Sequence, residues 1–322
     1  MIDTDVTWED VQRSYELYSD FEEVVMGKTV ELKSSDEVEI VNRDDKDMKI
    51  VLHMDLLFID KLIFLLTVSD PYDISMISSL KTKSFQDIKK VLIDQVAMYK
   101  SKGFEVKTIL SDNESGVKLC RTDLGLLGVE LLHVGPNKHV HKVERKIKTL
   151  KERCRTIIAS LDFNLPEKLL KDLVEYCISR INMVSSKNNK SISPREHYYG
   201  RKLSLKKDLS IGFGDFAHIE VPKGWYAKNS LNSRTVGAIA VKPNDNMQGG
   251  CRFYVPTLKS YLTRNHWKEM KITQECIELL NSMKSAISDL ECKRGFKEEE
   301  INYQVNAFTL KEAKTKYGRE IE

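Results

Sequence analysis

The sequence predicts an α/β protein, a mixed β-sheet with helices packed on it, followed by a smaller β-rich unit and a helical tail. Three observations carry this. Residues 49–80 read as apolar, β-rich runs in a meander, and residues 84–161 alternate helix-period and strand-period patterns. Residues 205–262 then change to Gly-rich, aromatic and β-branched runs such as LSIGFGDFAHIEV, VGAIAV and CRFYV.

Residues 1–48 form an acidic leader with one short helix in TWEDVQRSYELYSDFEEVV, where Val11, Tyr15, Tyr18 and Phe21 recur at helical spacing. The run KIVLHMDLLFIDKLIFLLTVSD, broken at Asp60 and Lys61, predicts an antiparallel hairpin, and ISMISSL a third strand. Ser84 opens a helix with Asp87 at its third position, as a capping box would have, and Gly103 closes it. Its apolar face holds Ile88, Val91, Leu92, Val96 and Tyr99. A strand EVKTILSDN, a helical piece around RTDLGLLG and a strand VELLHV follow.

A long helix from about Lys138 to Leu161 then buries Val143, Ile147, Leu150, Cys154, Ile157 and Leu161. A second runs across PEKLLKDLVEYCISRINMV. A third begins at Ser193, with Pro194 as its first residue and Glu196 as the reciprocal capping partner. The sequence thus divides into the leader, a core over 49–204, a small β-domain over 205–265 and a charged helical tail over 266–322.

Charge is distributed unevenly. The formal net charge of the chain is +3, yet residues 1–50 hold 15 acidic against 6 basic side chains, so the remainder is strongly basic and suited to polyanions. No apolar run is long enough to span a membrane, and the start lacks the layout of a signal peptide, which leads to the expectation of an intracellular protein. Six scattered cysteines without a CxxC pair read as reduced thiols in or near a core. A zinc site is not expected: His133, His139 and His141 cluster without a cysteine partner.

Three carboxylates stand out by position. Asp55 interrupts an apolar strand, where a charge is costly unless paired or metal-bound. Asp112 ends a strand, where α/β sheets place their ligands, and Glu144 lies in the first turns of the long helix. Spacing alone would be weak support, since the chain has 48 acidic residues. The helix carrying Glu144 also bears Lys142, Arg145, Lys148, Lys151 and Arg155, and helical spacing aligns Lys148, Lys151 and Arg155 with Glu144. A carboxylate at the head of a cationic ridge would hold a phosphate backbone beside a metal site.

The segments HMDLLFID, ILSDNES and HKVERKIKTLKER resemble retroviral-type integrases, specifically the integrase region of Copia-type retrotransposon polyproteins, and the likeness runs from about residue 25 to 265. It implies a ribonuclease H-like fold, a five-stranded mixed sheet with helices on both sides. It further implies two Mg²⁺ or Mn²⁺ ions, one on Asp55 and Asp112 and one on Asp55 and Glu144. The implied reaction trims the 3′ ends of element DNA with water, then joins the 3′ hydroxyls to target DNA. Lys148 and Lys151 match helix positions that contact DNA in that family, whose members work as multimers; action in the nucleus is the accompanying expectation.

The family's His-His-Cys-Cys zinc domain has no counterpart in this sequence, and Glu114-Ser115 and His141-Lys142 replace glycine-containing dipeptides near the second and third acids. An integrase-derived DNA-binding protein that has lost catalysis is therefore the alternative expectation. A nuclease of the same fold is a third.

Overall fold

The computed structural model describes residues 7–18, 22, 25–26, 39–41, 48–112, 115–133, 141–185, 191–222, 231–244 and 249–286. The hairpin forms as predicted: β1 (Lys49–Ile59) pairs antiparallel with β2 (Leu62–Asp70) across a two-residue turn in which Asp60 takes a positive φ of 48°. Short polar residues such as Asp tolerate that left-handed conformation. β3 (Ser75–Leu80) pairs on the far side of β2, and β4 (Glu105–Ser111) and β5 (Glu130–His133) add parallel strands beyond β1. The sheet order is β3-β2-β1-β4-β5.

Helices cover both faces, because strand alternation sends successive side chains to opposite sides. Ile50, Leu52, Met54 and Leu56 of β1 pack with Ile88, Leu92, Val96 and Tyr99 of α2 (Phe85–Ser101), following α1 (Trp8–Tyr18) of the leader. The short helices α3 (Ser115–Lys118) and α4 (Arg121–Leu126) add Val117 and Leu124 to the same cluster. Opposite, Leu57, Phe64, Leu66 and Val68 pack against α5 (His141–Ser160) and α6 (Glu167–Asn182). This mixed, two-faced sheet is the ribonuclease H-like α/β arrangement.

Local caps set the helix starts. Ser193 and Glu196 form the reciprocal box at the head of α7 (Pro194–Tyr199), and Gly200 closes it at φ 67°. At α2 only half of the expected box exists. The Ser84 hydroxyl accepts from the Asp87 amide, whereas the Asp87 carboxylate accepts from Thr82 N and Oγ1 at 2.8 and 2.6 Å. The acid secures the turn before the cap, and the Thr82 hydroxyl is a stronger donor than the Ser84 amide.

A second five-stranded antiparallel sheet follows α8 (Leu205–Asp208). It is formed by β6 (Phe216–Glu220), β7 (Thr235–Pro243), β8 (Cys251–Val255), β9 (Ser260–Arg264) and β10 (Trp267–Glu269), in the order β10-β6-β7-β8-β9. Two features depart from the sequence expectation. The sheet runs on to Glu269, past residue 265, and the start of the tail is structural: α9 (Gln274–Asn281) buries Cys276 and Leu280.

The second sheet also shares the core of the first. Phe216, Ile239, Val241 and Tyr254 belong to the same buried cluster as Leu57, Phe64 and Leu173. Helix α6 is the layer between them: nine of its residues are buried, Asp172 among them, and its apolar side shares one cluster with residues of both sheets. Parts of the leader are held too: Arg234 N donates to Met26 O, and Ile40 bridges Arg201. Residues 287–322, including Cys292 and most of the expected tail, lie outside the described residues. The other five cysteines are free and buried.

Candidate active site

Asp55 sits within β1 on the side of the sheet that α5 covers. The alternation that buries Leu52, Met54 and Leu56 against α2 turns His53, Asp55 and Leu57 the other way, and Leu57 shares a cluster with Val143 and Leu150 of α5. The Asp55 carboxylate is half-buried, and its Oδ1 accepts from the Leu56 amide at 2.7 Å.

Asp112 follows the last residue of β4. The parallel register ends at Met54↔Ser111, so Asp55 and Asp112 come next on neighbouring strands. They share a face, because Ser111 and Ile109 lie on the α2 side together with Met54 and Leu52. The carboxyl end of a parallel strand is where sheets of this class bind ligands.

Glu144 occupies the first turn of α5, over that same face, with its side chain 43% exposed and Oε2 standing 3.7 Å from His141 Nδ1. The neighbouring Val143 and the more distant Leu150 are fully buried and anchor the helix. The structure thus makes strand neighbours of Asp55 and Asp112 and sets Glu144 above their face of the sheet. It does not gather all three into one ligand set: among the described residues, no group of three or more His, Cys, Asp or Glu side chains could hold a metal ion. Residues 113–114 and 134–140, with the first three residues of the expected long helix, lie outside the described residues.

The basic side chains of α5 divide into two flanks. On helical spacing Glu144, Lys148, Lys151 and Arg155 line one side, where Lys148 and Arg155 are exposed and Lys151 is half-buried. Arg145 is also exposed. Lys142 and Lys146 line the other flank. Lys142 Nζ lies 2.6 Å from Asp70 Oδ1 and 2.8 Å from Asp73 Oδ1, so this expected DNA contact is engaged by the turn between β2 and β3.

Burial holds the Lys146 ammonium below its usual pKa, against the pull of Asp73 and with help from Lys142 and Arg153. Burial and the Lys142 charge likewise lower His53. The acidic turn was missed in the sequence because SDPYD reads only as a turn. Its role depends on a partner 72 residues away.

No protein-family model and no curated protein matches the chain. Among solved structures it is similar to the catalytic core domain of BIV integrase, at 16% identity and a TM-score of 0.36, over 46% of this chain and 93% of that chain.

Proposed function

We propose that this chain is an integrase-type polynucleotidyl transferase, cutting and joining DNA strands with Asp55, Asp112 and Glu144 as its metal-holding carboxylates. The observation that supports the reading is the placement of Asp55 beside Asp112 under the first turn of a cationic helix that carries Glu144. Carboxylate oxygens are the donors that Mg²⁺ and Mn²⁺ take, and they leave coordination positions for water and phosphate. When bound, two such ions activate the attacking oxygen and stabilise the leaving one.

The protein's own share is positional. Asp55 is fixed by strand pairing, Asp112 directly follows the paired end of β4, Glu144 is carried by a helix anchored through Val143 and Leu150, and the flank of Lys148, Lys151 and Arg155 binds phosphates leading away from the reacting bond. The reading brings with it double-stranded DNA as substrate, a homo-oligomeric working form, action in the nucleus and a Copia-type retrotransposon origin.

Incubation of the protein with Mg²⁺ or Mn²⁺ and end-labelled duplexes tests it. Nicking and joining that disappear in Asp112→Asn are expected; a folded protein that does neither under any metal overturns the reading. The departures from the family pattern at Glu114-Ser115 and His141-Lys142, beside the second and third acids, favour a second reading, a DNA-binding protein of this fold without catalysis. DNA binding with no metal-dependent thermal stabilisation would select it.

A further inference from the structure

The edge strand β3 forms the floor of a cleft of about 550 Å³ that the proposed reaction does not use. Its walls come from opposite faces of the sheet. On one side a stripe of α6 carries Lys171, Glu175 and Ile178; on the other stand Met98 of α2 and Tyr198 of α7, whose hydroxyl donates to Met98 O. Among the described residues β3 pairs with β2 alone.

The outer edge is half prepared for a partner. Ser75 N donates to Asn182 Oδ1 at 2.9 Å, and Asn182 Nδ2 donates to Ser75 O at 2.7 Å, so a side-chain amide reproduces what a neighbouring strand would offer. In an antiparallel pair the backbone groups of alternate residues point to the same side, so the N–H and C=O groups of Ile77 and Ser79 point outward with those of Ser75. Beyond Asn182 nothing described meets them. A polar edge left open between two walls fits an extended backbone.

We propose that this cleft binds an extended peptide of a partner protein by strand addition to β3. The walls specify its side chains. Ser75, Ile77 and Ser79 face α6, where Lys171 and Lys242 share the single carboxylate of Glu175, so a lysine charge is left over on that wall. Met98, half-exposed, and Tyr198 line the other wall. The added strand therefore alternates acidic residues towards α6 with apolar residues towards Met98 and Tyr198, over about five residues.

Titrating the full chain with a fluorescent hexapeptide of alternating Glu and Val tests this, read by anisotropy and by hydrogen exchange at residues 75–80. Saturable binding with slowed exchange at Ile77 and Ser79 is expected, and an alternating Lys and Val peptide should bind at least tenfold more weakly. Ser79→Pro removes one outward N–H without touching the β2 pairing and should weaken the acidic peptide at least tenfold. Lys171→Glu should narrow or reverse the preference between the two peptides. Should Ser79→Pro not fold, peptides N-methylated on alternate amides decide: methylation of one alternate set must abolish binding and of the other must not. Equal binding of both N-methylated sets overturns strand addition. So does unchanged exchange at Ile77 and Ser79, or a concentration-dependent dimer that Ser79→Pro disperses while the peptide protects nothing, which would assign β3 to a second copy.

Discussion

The Nζ of Lys142 stands 2.8 Å from Asp73 Oδ1, tying the first turn of the helix that bears Glu144 to the turn between β2 and β3. Asp70 accepts from the same ammonium at 2.6 Å. With Val143 buried on the next position, this pair limits how α5 can rotate and keeps the flank of Glu144, Lys148 and Lys151 turned away from the acidic turn. Lys142→Met is expected to lower stability by about 1 kcal/mol, because the Lys142 side chain is 23% exposed and Asp70 more so. The salt dependence of DNA binding should stay unchanged. Urea unfolding and a salt titration measure the two; a shallower salt slope would return Lys142 to the DNA surface.

Lys148→Ala combined with Lys151→Ala should do the reverse, leaving the unfolding midpoint within error and making the slope of log K against log salt shallower by about 1.8, roughly 0.9 per lost phosphate contact. An unchanged slope would remove this flank from DNA.

Glu144→Gln keeps the shape and length of a side chain that is 43% exposed, so the fold should be retained. Strand cutting should drop by about three orders of magnitude, the several kcal/mol that a lost metal-ligating charge removes from transition-state stabilisation. Single-turnover assays at saturating Mn²⁺ measure it, and activity within tenfold of wild type would exclude Glu144 from the site.

Asp208 is 2% exposed and accepts from Arg195 Nη2 at 2.6 Å, from Arg201 Nη1 and Nη2 at 3.0 and 2.9 Å and from Ser204 N at 2.9 Å. Burial pushes its carboxyl upward, but the Arg201 and Ser204 hydrogen bonds and the two guanidinium charges outweigh burial and hold it below the usual carboxylate value. Its pKa is depressed on folding, so its contribution is fully present above the unfolded value of about 3.9 and is lost as pH falls through the folded value. Asp208→Asn should cost about 3 to 5 kcal/mol near neutrality, by leaving buried guanidinium charge uncompensated. The gap from wild type should close below about pH 4. Denaturant midpoints across pH 3 to 7 measure this; a gap constant with pH would contradict the assignment.

The fold was legible where its causes are local. Alternation in KIVLHMDLLFID gave the β1 face on which Asp55 lies, and Ser193 with Glu196 announced a cap that formed as read. Local pattern failed where the deciding partner is distant. Trp267–Glu269 is too short to read as a strand and forms because β6 offers an edge. The second carboxylate was legible as a strand end, but its adjacency to Asp55 comes from a parallel register that no short-range signal encodes. The acidic partners of Lys142 were hidden for the same reason: a lysine in a basic run looks alike whether it faces phosphate or an acidic turn.

Leu280 of α9 is fully buried in the cluster shared by both sheets. Leu280→Ala should cost about 2 to 5 kcal/mol and leave one cooperative transition, seen at the same denaturant concentration by probes in either sheet. Two separated transitions would show that the sheets unfold independently.

Helix α6 gives the chain a rule of divisibility. Its inner layer, with Leu173, Tyr176 and Cys177, packs in the same buried cluster as Ile239, Val241 and Tyr254 of the second sheet. A polypeptide ended at residue 204, where the composition changes, would strip one wall from that helix and leave a sticky apolar surface on it. The first sheet with its helices is therefore not a portable unit: to be produced soluble, or transplanted into another protein, it has to travel with β6 to β10 and with α9.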